Sequence, residues 1–158
     1  MGERPELNGI IVVDKPVDIS SARVVSIVKN TLPAKKVGHA GTLDPFAEGV
    51  LICCVNQATR LANFLLHGTK KYIAELKLGE ETDTQDLTGT VISSSEPKNY
   101  STETIQKIFK AFEGPLEQLP PVYSALKHNG VPLYKLARSG QPVQKPPRPV
   151  EIYSITIL

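Results

Sequence analysis

The sequence predicts a mixed α+β fold with a largely antiparallel sheet flanked by helices. Residues 71–78 alternate polar and apolar side chains, with Tyr72, Ala74, Leu76 and Leu78 on one face, the pattern of a half-buried antiparallel strand. Ile105, Ile108, Phe109 and Phe112 recur at the spacing of an amphipathic helix. Short apolar runs at 9–13 and 50–55 are closed by proline, glycine or polar residues, as strands are. At 158 residues the chain has the length of about one domain and can bury one sizeable core.

In chain order, residues 9–13 read as a short buried strand closed by Asp14-Lys15-Pro16. Ser20 or Ser21 can cap a helix running to about Leu32, with Val24, Val25, Ile27 and Val28 on its apolar side. A glycine-punctuated loop leads to the strand at 50–55 and a helix over about 58–66. After the alternating strand, the acidic stretch 80–86 reads as a loop and 90–94 as a returning strand. Ser101 or Thr102 caps the next helix, which Gly114-Pro115 stops. Proline and glycine are frequent from 119 to 147, around one short helical stretch at 133–139, and 150–158 reads as a strand. Loops beyond about 15 residues are uncommon in compact domains and often serve as binding elements.

Composition is that of a globular protein, with 41% apolar and 22% charged residues, and no apolar run approaches the roughly 20 residues of a membrane span. The first seven residues are polar and unlike a signal peptide, so the chain reads as cytoplasmic. Adjacent Cys53 and Cys54 read as buried, inert thiols, because neighbouring cysteines form no unstrained disulfide. His39, His67 and His128 have no metal-ligand spacing, and no metal is expected.

Charge is uneven along the chain. Residues 1–114 sum to −1, whereas 115–158 sum to +3 and interleave Tyr123, Lys127, Tyr134, Lys135, Arg138, Lys145 and Arg148. Such a mixture suits a phosphate backbone and unpaired bases, as on RNA-binding surfaces, and equally suits a solvated loop.

The most informative stretch is Gly38-His39-Ala40-Gly41-Thr42-Leu43-Asp44-Pro45. Its glycines permit backbone angles closed to other residues and close approach of a ligand, and Pro45 disfavours the α conformation at Asp44. Asp44 is then either a positioned acid or the cap of a turn begun by Pro45.

Extended through Phe46-Ala47-Glu48-Gly49-Val50-Leu51, this string closely resembles the signature of the TruB family of tRNA pseudouridine synthases. Further blocks follow the family's order: Asp14-Lys15-Pro16, Lys71-Tyr72, Thr82-Asp83-Thr84-Gln85-Asp86 with Gly89, and Gln118-Leu119-Pro120-Pro121-Val122-Tyr123-Ser124-Ala125-Leu126-Lys127. Gly130, Leu133-Tyr134, Ala137-Arg138, Gly140 and Arg148-Pro149-Val150 continue the likeness over nearly the whole chain. The guide-RNA-dependent, dyskerin-like branch shares the Asp44 block. The start and continuation of the segment from Pro120 to Gly140 look instead like the RNA-gripping thumb of the stand-alone bacterial type, an insertion at about 120–147 that coincides with the basic segment.

The resemblance implies a pseudouridine synthase-like fold and isomerisation of uridine-55 in the TΨC stem-loop of tRNA, with no cofactor; the chain is expected to act as a monomer. It implies Asp44 as the catalytic carboxylate, acting as nucleophile or through a glycal intermediate, and Tyr72 as the aromatic against the target base. A dry, aimed anion of that kind needs a cation or hydrogen-bond donors to offset desolvation. His39 would help to hold the extruded nucleotide, since a stacked base is out of reach. Gly38 and Gly41 would shape the backbone, and Thr42 would hydrogen-bond within the loop. Thr82, Asp83 and Asp86 would fix the neighbouring loop, while Lys15, Lys127, Tyr134 and Arg138 are candidates for RNA contacts. A binding module that retains the thumb without chemistry is the competing reading.

Family members continue beyond the strand at 150–158, with an arginine that pairs with the aspartate, a leucine against the base and a small PUA-like RNA-binding domain. A Gly-Thr-Tyr-Ile-Arg run has no counterpart here. The chain is therefore read as the N-terminal portion of a catalytic domain, with an incomplete sheet and, by itself, little or no activity. Arg23 or Arg60 would be the substitutes if it proved active.

Overall fold

Ser20, in extended conformation, accepts a hydrogen bond from the Arg23 amide through its side chain and so starts helix α1, Ser21–Thr31. The computed structural model in which this is seen describes residues 7–96 and 98–158. The reading of residues 1–6 as unlike a signal peptide lies outside the described residues. Among those described, no helix is long and apolar enough to cross a membrane. The fold is α+β as expected, and among the described residues every strand pairing is antiparallel.

The chain divides after Ile73 into two compact units. In the first, β1 (Gly9–Lys15) and β2 (Val37–His39) flank β3 (Gly49–Val55). β3 is central because its apolar run can be covered on both faces, and Cys53 and Cys54 are both fully buried there. Val24 of α1, Leu51 and Cys53 form the core, with Ile11, Val13, Val28 and Leu43 packed against it.

Several expectations need correction in this unit. β1 is half-buried rather than buried, since Ile10 and Val12 face outward. Ile27, assigned to the apolar side of α1, is exposed; the buried stripe is narrower and centres on Val24. The helix expected over 58–66 is a 3₁₀ turn, Asn56–Leu61, followed by the short α2, Ala62–Leu66.

The alternating strand at 71–78 does not form. It runs across the boundary between the units and pairs with no described strand, and Tyr72, Ile73 and Leu76 are exposed. Alternation specifies which side chains share a face, but a ladder also needs a neighbour with free backbone groups.

In the second unit, β4 (Glu80–Thr82) pairs with β5 (Val91–Ser94), and β6 (Gly114–Gln118) pairs with β9 (Arg148–Ile152). Between β5 and β6 lies α3, Thr102–Lys110, capped by the Ser101 side chain on the Thr104 amide; Phe112 falls beyond its end. The hairpin β7 (Lys127–His128) and β8 (Val131–Pro132) turns at Asn129-Gly130, both at positive φ, and leads into α4, Leu133–Arg138. β4 and β6 were not expected, and residues 153–158 carry no strand.

Candidate active site

Leu43 and Pro45, the neighbours of Asp44, are both tied to the segment that joins β1 to α1. The Ser21 hydroxyl donates to the Leu43 carbonyl and accepts from the Leu43 amide, each at 2.9 Å. The Pro45 carbonyl accepts from the Asp18 amide at 2.7 Å and from Lys15 Nζ at 3.2 Å. Asp18 presents its amide from a left-handed conformation, φ 65°, in the turn after Lys15-Pro16. The Leu43 side chain meanwhile packs on the core. Backbone restraint on either side, rather than a bond to the carboxylate, fixes where the Asp44 side chain starts.

The carboxylate itself is unclaimed. Asp44 is exposed, and among the described residues no hydrogen bond or ion pair reaches its side chain. The cap reading fails, because the turn here is a backbone bond from the Ala47 amide to the Asp44 carbonyl. The expectation of a dry acid is corrected too: the loop leaves Asp44 exposed.

Lys15 was a candidate for RNA contact, and its place excludes that. The side chain is 0% exposed, and Nζ donates to the carbonyls of Pro16 at 2.8 Å, Ile19 at 2.8 Å and Pro45 at 3.2 Å. An ammonium has three donors, and all three are used. Lys15 therefore ties the strand end, the following turn and the Asp44 loop together.

Of the glycines, Gly41 has φ +134°, closed to other residues, whereas Gly38 sits in β2 with only ordinary contact where a side chain would begin. His39 pairs across β2 with Cys53, and its Nδ1 is buried without a hydrogen-bond partner among the described residues. Thr42 is exposed and makes no side-chain hydrogen bond there, which corrects its loop-bonding role. Tyr72 is 70% exposed, with no hydrogen bond or ring contact to the Asp44 loop among the described residues.

In the second unit the acidic loop is held by its own side chains. Asp83 Oδ1 accepts from the Thr90 amide, Asp86 Oδ1 accepts from the Thr84 hydroxyl and from the amide and hydroxyl of Thr88, and the Thr82 hydroxyl donates to the Asp86 carbonyl. A Cβ at Gly89 would clash with the Thr84 hydroxyl and the Asp83 carboxylate, so only glycine fits. Arg138 lies over the Tyr134 ring, 5.7 Å from its centroid, while Lys127 is exposed.

Sequence reasoning missed Ser21 and Asp18. From the sequence Ser21 reads only as a helix cap; the signal for its second role is a hydroxyl beside a serine that already caps the helix.

The N-terminal domain of the TruB family pseudouridylate synthases matches residues 29–158. The chain belongs to the TruB family. It is 50% identical over 151 residues to the tRNA pseudouridine synthase B of Geotalea uraniireducens, covering 96% of this chain and 49% of that one. To the enzyme of the same name from Bordetella avium it is 44% identical over 155 residues, with 96% and 63% covered. The chain thus spans roughly half to two thirds of the length of these TruB relatives. Among solved structures, a chain of a Cbf5-Nop10-Gar1 complex matches 75% of this chain at TM-score 0.50 and 30% identity, with 31% of that chain covered.

Proposed function

We propose that this chain is the N-terminal portion of the catalytic domain of a cytoplasmic tRNA pseudouridine synthase that isomerises uridine-55 of the TΨC stem-loop. The observation that carries the reading is the double restraint of Leu43 and Pro45 around an exposed Asp44. In the reaction the N1–C1′ bond of uridine breaks, the base turns, C5 bonds to C1′, the proton on C5 leaves for solvent and N1 takes up a proton in its place. That sequence asks for one carboxylate held against the sugar or base while the ring reorients, with no change in oxidation state. A backbone clamped on both sides supplies the aim, and Gly41 gives the loop its turn.

The charge partner of Asp44 is assigned to the sequence that the longer relatives have beyond this stretch, and the 158-residue chain is expected to turn over little or nothing. Tyr72 is placed against the base once a neighbouring strand orders residues 71–78, and His39 beside the extruded nucleotide. Lys127, Tyr134 and Arg138 of the 120–147 insertion grip the RNA, the Arg138–Tyr134 stack presenting a cationic face for a base or phosphate.

Tritium release from tRNA labelled at uridine C5 tests this. The full-length protein releases tritium, its Asp44→Asn variant loses the activity by at least 1,000-fold while keeping its tRNA affinity, and the 158-residue chain is nearly inert. A full-length Asp44→Asn protein with undiminished release would favour the binding-module reading.

A further inference from the structure

We infer that Ser21 is a positioning residue for Asp44: by holding the backbone of Leu43 it sets the point from which the catalytic carboxylate leaves the chain. The inference rests on the pseudouridine synthase reading above and deepens it, because it assigns the aim of Asp44 to one side chain outside the loop.

The loop needs such a hold. Residues 42–48 hang between Gly41 at φ +134° and Gly49 at φ +111°, and nothing lies within 4 Å of where a side chain would begin at either. Among the described residues one backbone hydrogen bond lies within the loop, from the Ala47 amide to the Asp44 carbonyl at 3.1 Å. Two glycine ends with open space beside them let the loop pivot as a unit unless something outside restrains it.

Of the outside restraints, the one from Ser21 acts nearest to the carboxylate. The peptide group that joins Leu43 to Asp44 is planar and ends on the Asp44 Cα atom, so the 2.9 Å bond from the Ser21 hydroxyl to its carbonyl fixes the atom from which the side chain departs. The return bond from the Leu43 amide, also at 2.9 Å, fixes the peptide group before it. The Pro45 carbonyl, held by Asp18 and Lys15, belongs to the next peptide group but one, which contains no atom of Asp44. Ser21 is also a firm anchor, since it is 2% exposed in the first turn of α1 and that helix enters the core through Val24. A displacement of about 1 Å at a reacting group costs on the order of 100-fold in rate, so a hold of this kind bears on turnover as well as on folding.

The test is single-turnover tritium release from C5-labelled tRNA by the full-length protein, with tRNA affinity and urea unfolding measured on the same samples. Ser21→Ala lowers the single-turnover rate about 10- to 100-fold and leaves tRNA affinity within about twofold of wild type. Val24→Ala, which removes a buried side chain three residues along α1 and so also costs stability, keeps the rate within about twofold. Ser21→Cys, close in size but a weaker donor and acceptor, loses about three- to tenfold and carries the test if the alanine variant does not fold. A rate within about threefold of wild type in Ser21→Ala, an unchanged rate in Ser21→Cys, an affinity loss that accounts for the rate loss, or an equal fall in Val24→Ala overturns the positioning role. Wild-type full-length protein that releases no tritium overturns the pseudouridine synthase reading itself, a distinguishable outcome.

Discussion

The Ser21 hydroxyl holds Leu43 by both of its backbone groups, donating to the carbonyl and accepting from the amide at 2.9 Å each. A hydroxyl has the one donor and the acceptor pairs that this needs. The arrangement is possible because Ser20 has taken the capping duty of α1, leaving Ser21, at 2% exposure, to face the loop. On the far side of Asp44, Lys15 and Asp18 converge on the Pro45 carbonyl. One short segment, residues 15–21, thus sets the position of the carboxylate without touching it.

Ser21→Ala leaves the part-buried amide and carbonyl of Leu43 without their partner, at a cost of about 1–3 kcal/mol. Urea unfolding of the variant reads the loss in midpoint, and hydrogen exchange at the Leu43 amide reads it locally. A change within about 0.5 kcal/mol, with Leu43 protection intact, would show that the clamp does not matter.

Legibility in the sequence tracked the range of the interaction. β1, α1, β3 and the Ser101 cap of α3 depend on residues near in sequence, and apolar runs with hydroxyl caps announced them. β2 was missed because three residues give no periodicity, and β4 and β6 because each exists through a partner found later in the chain. The β7–β8 hairpin is legible in Asn129-Gly130, a strong turn signal, but its strands are only two residues each and so carry no alternation of their own. Residues 71–78 are the converse case: a clear alternation with no described partner strand. At the site, Asp44 was conspicuous, whereas Lys15 misled, because a lysine beside a proline looks like surface until three carbonyls are seen around it.

Cys53 and Cys54 should be unreactive in the folded chain. Burial pushes both thiols up from their ordinary range, and for Cys53 the neighbouring Cys54 adds to the rise. Thiolate is the reacting species, so iodoacetamide at pH 7.5 modifies neither thiol in native buffer and both in urea. Stoichiometric labelling of native protein within minutes would contradict the packing of β3.

Asp86 makes the acidic loop acid-sensitive. Burial acts to raise its carboxyl, but the hydrogen bonds from the Thr88 hydroxyl, the Thr84 hydroxyl and the Thr88 amide together outweigh it and hold the group below the usual aspartate range. A folded value under the unfolded one, about 3.9, means that the contribution to stability is complete above that pH and is lost as pH falls through the lower folded value. Carboxyl-carbon NMR should therefore give Asp86 a midpoint below that of an unstructured aspartate peptide. Asp86→Asn removes the charge while keeping an acceptor oxygen, so the turn weakens at neutral pH and its residual stability no longer falls with acid. Thr88 amide exchange in the variant is expected to quicken about tenfold at neutral pH, equivalent to about 1.4 kcal/mol, and the gap from wild type should close at low pH. A gap that persists unchanged below the folded midpoint would mean that the carboxylate's charge plays no part in holding Thr84 and Thr88.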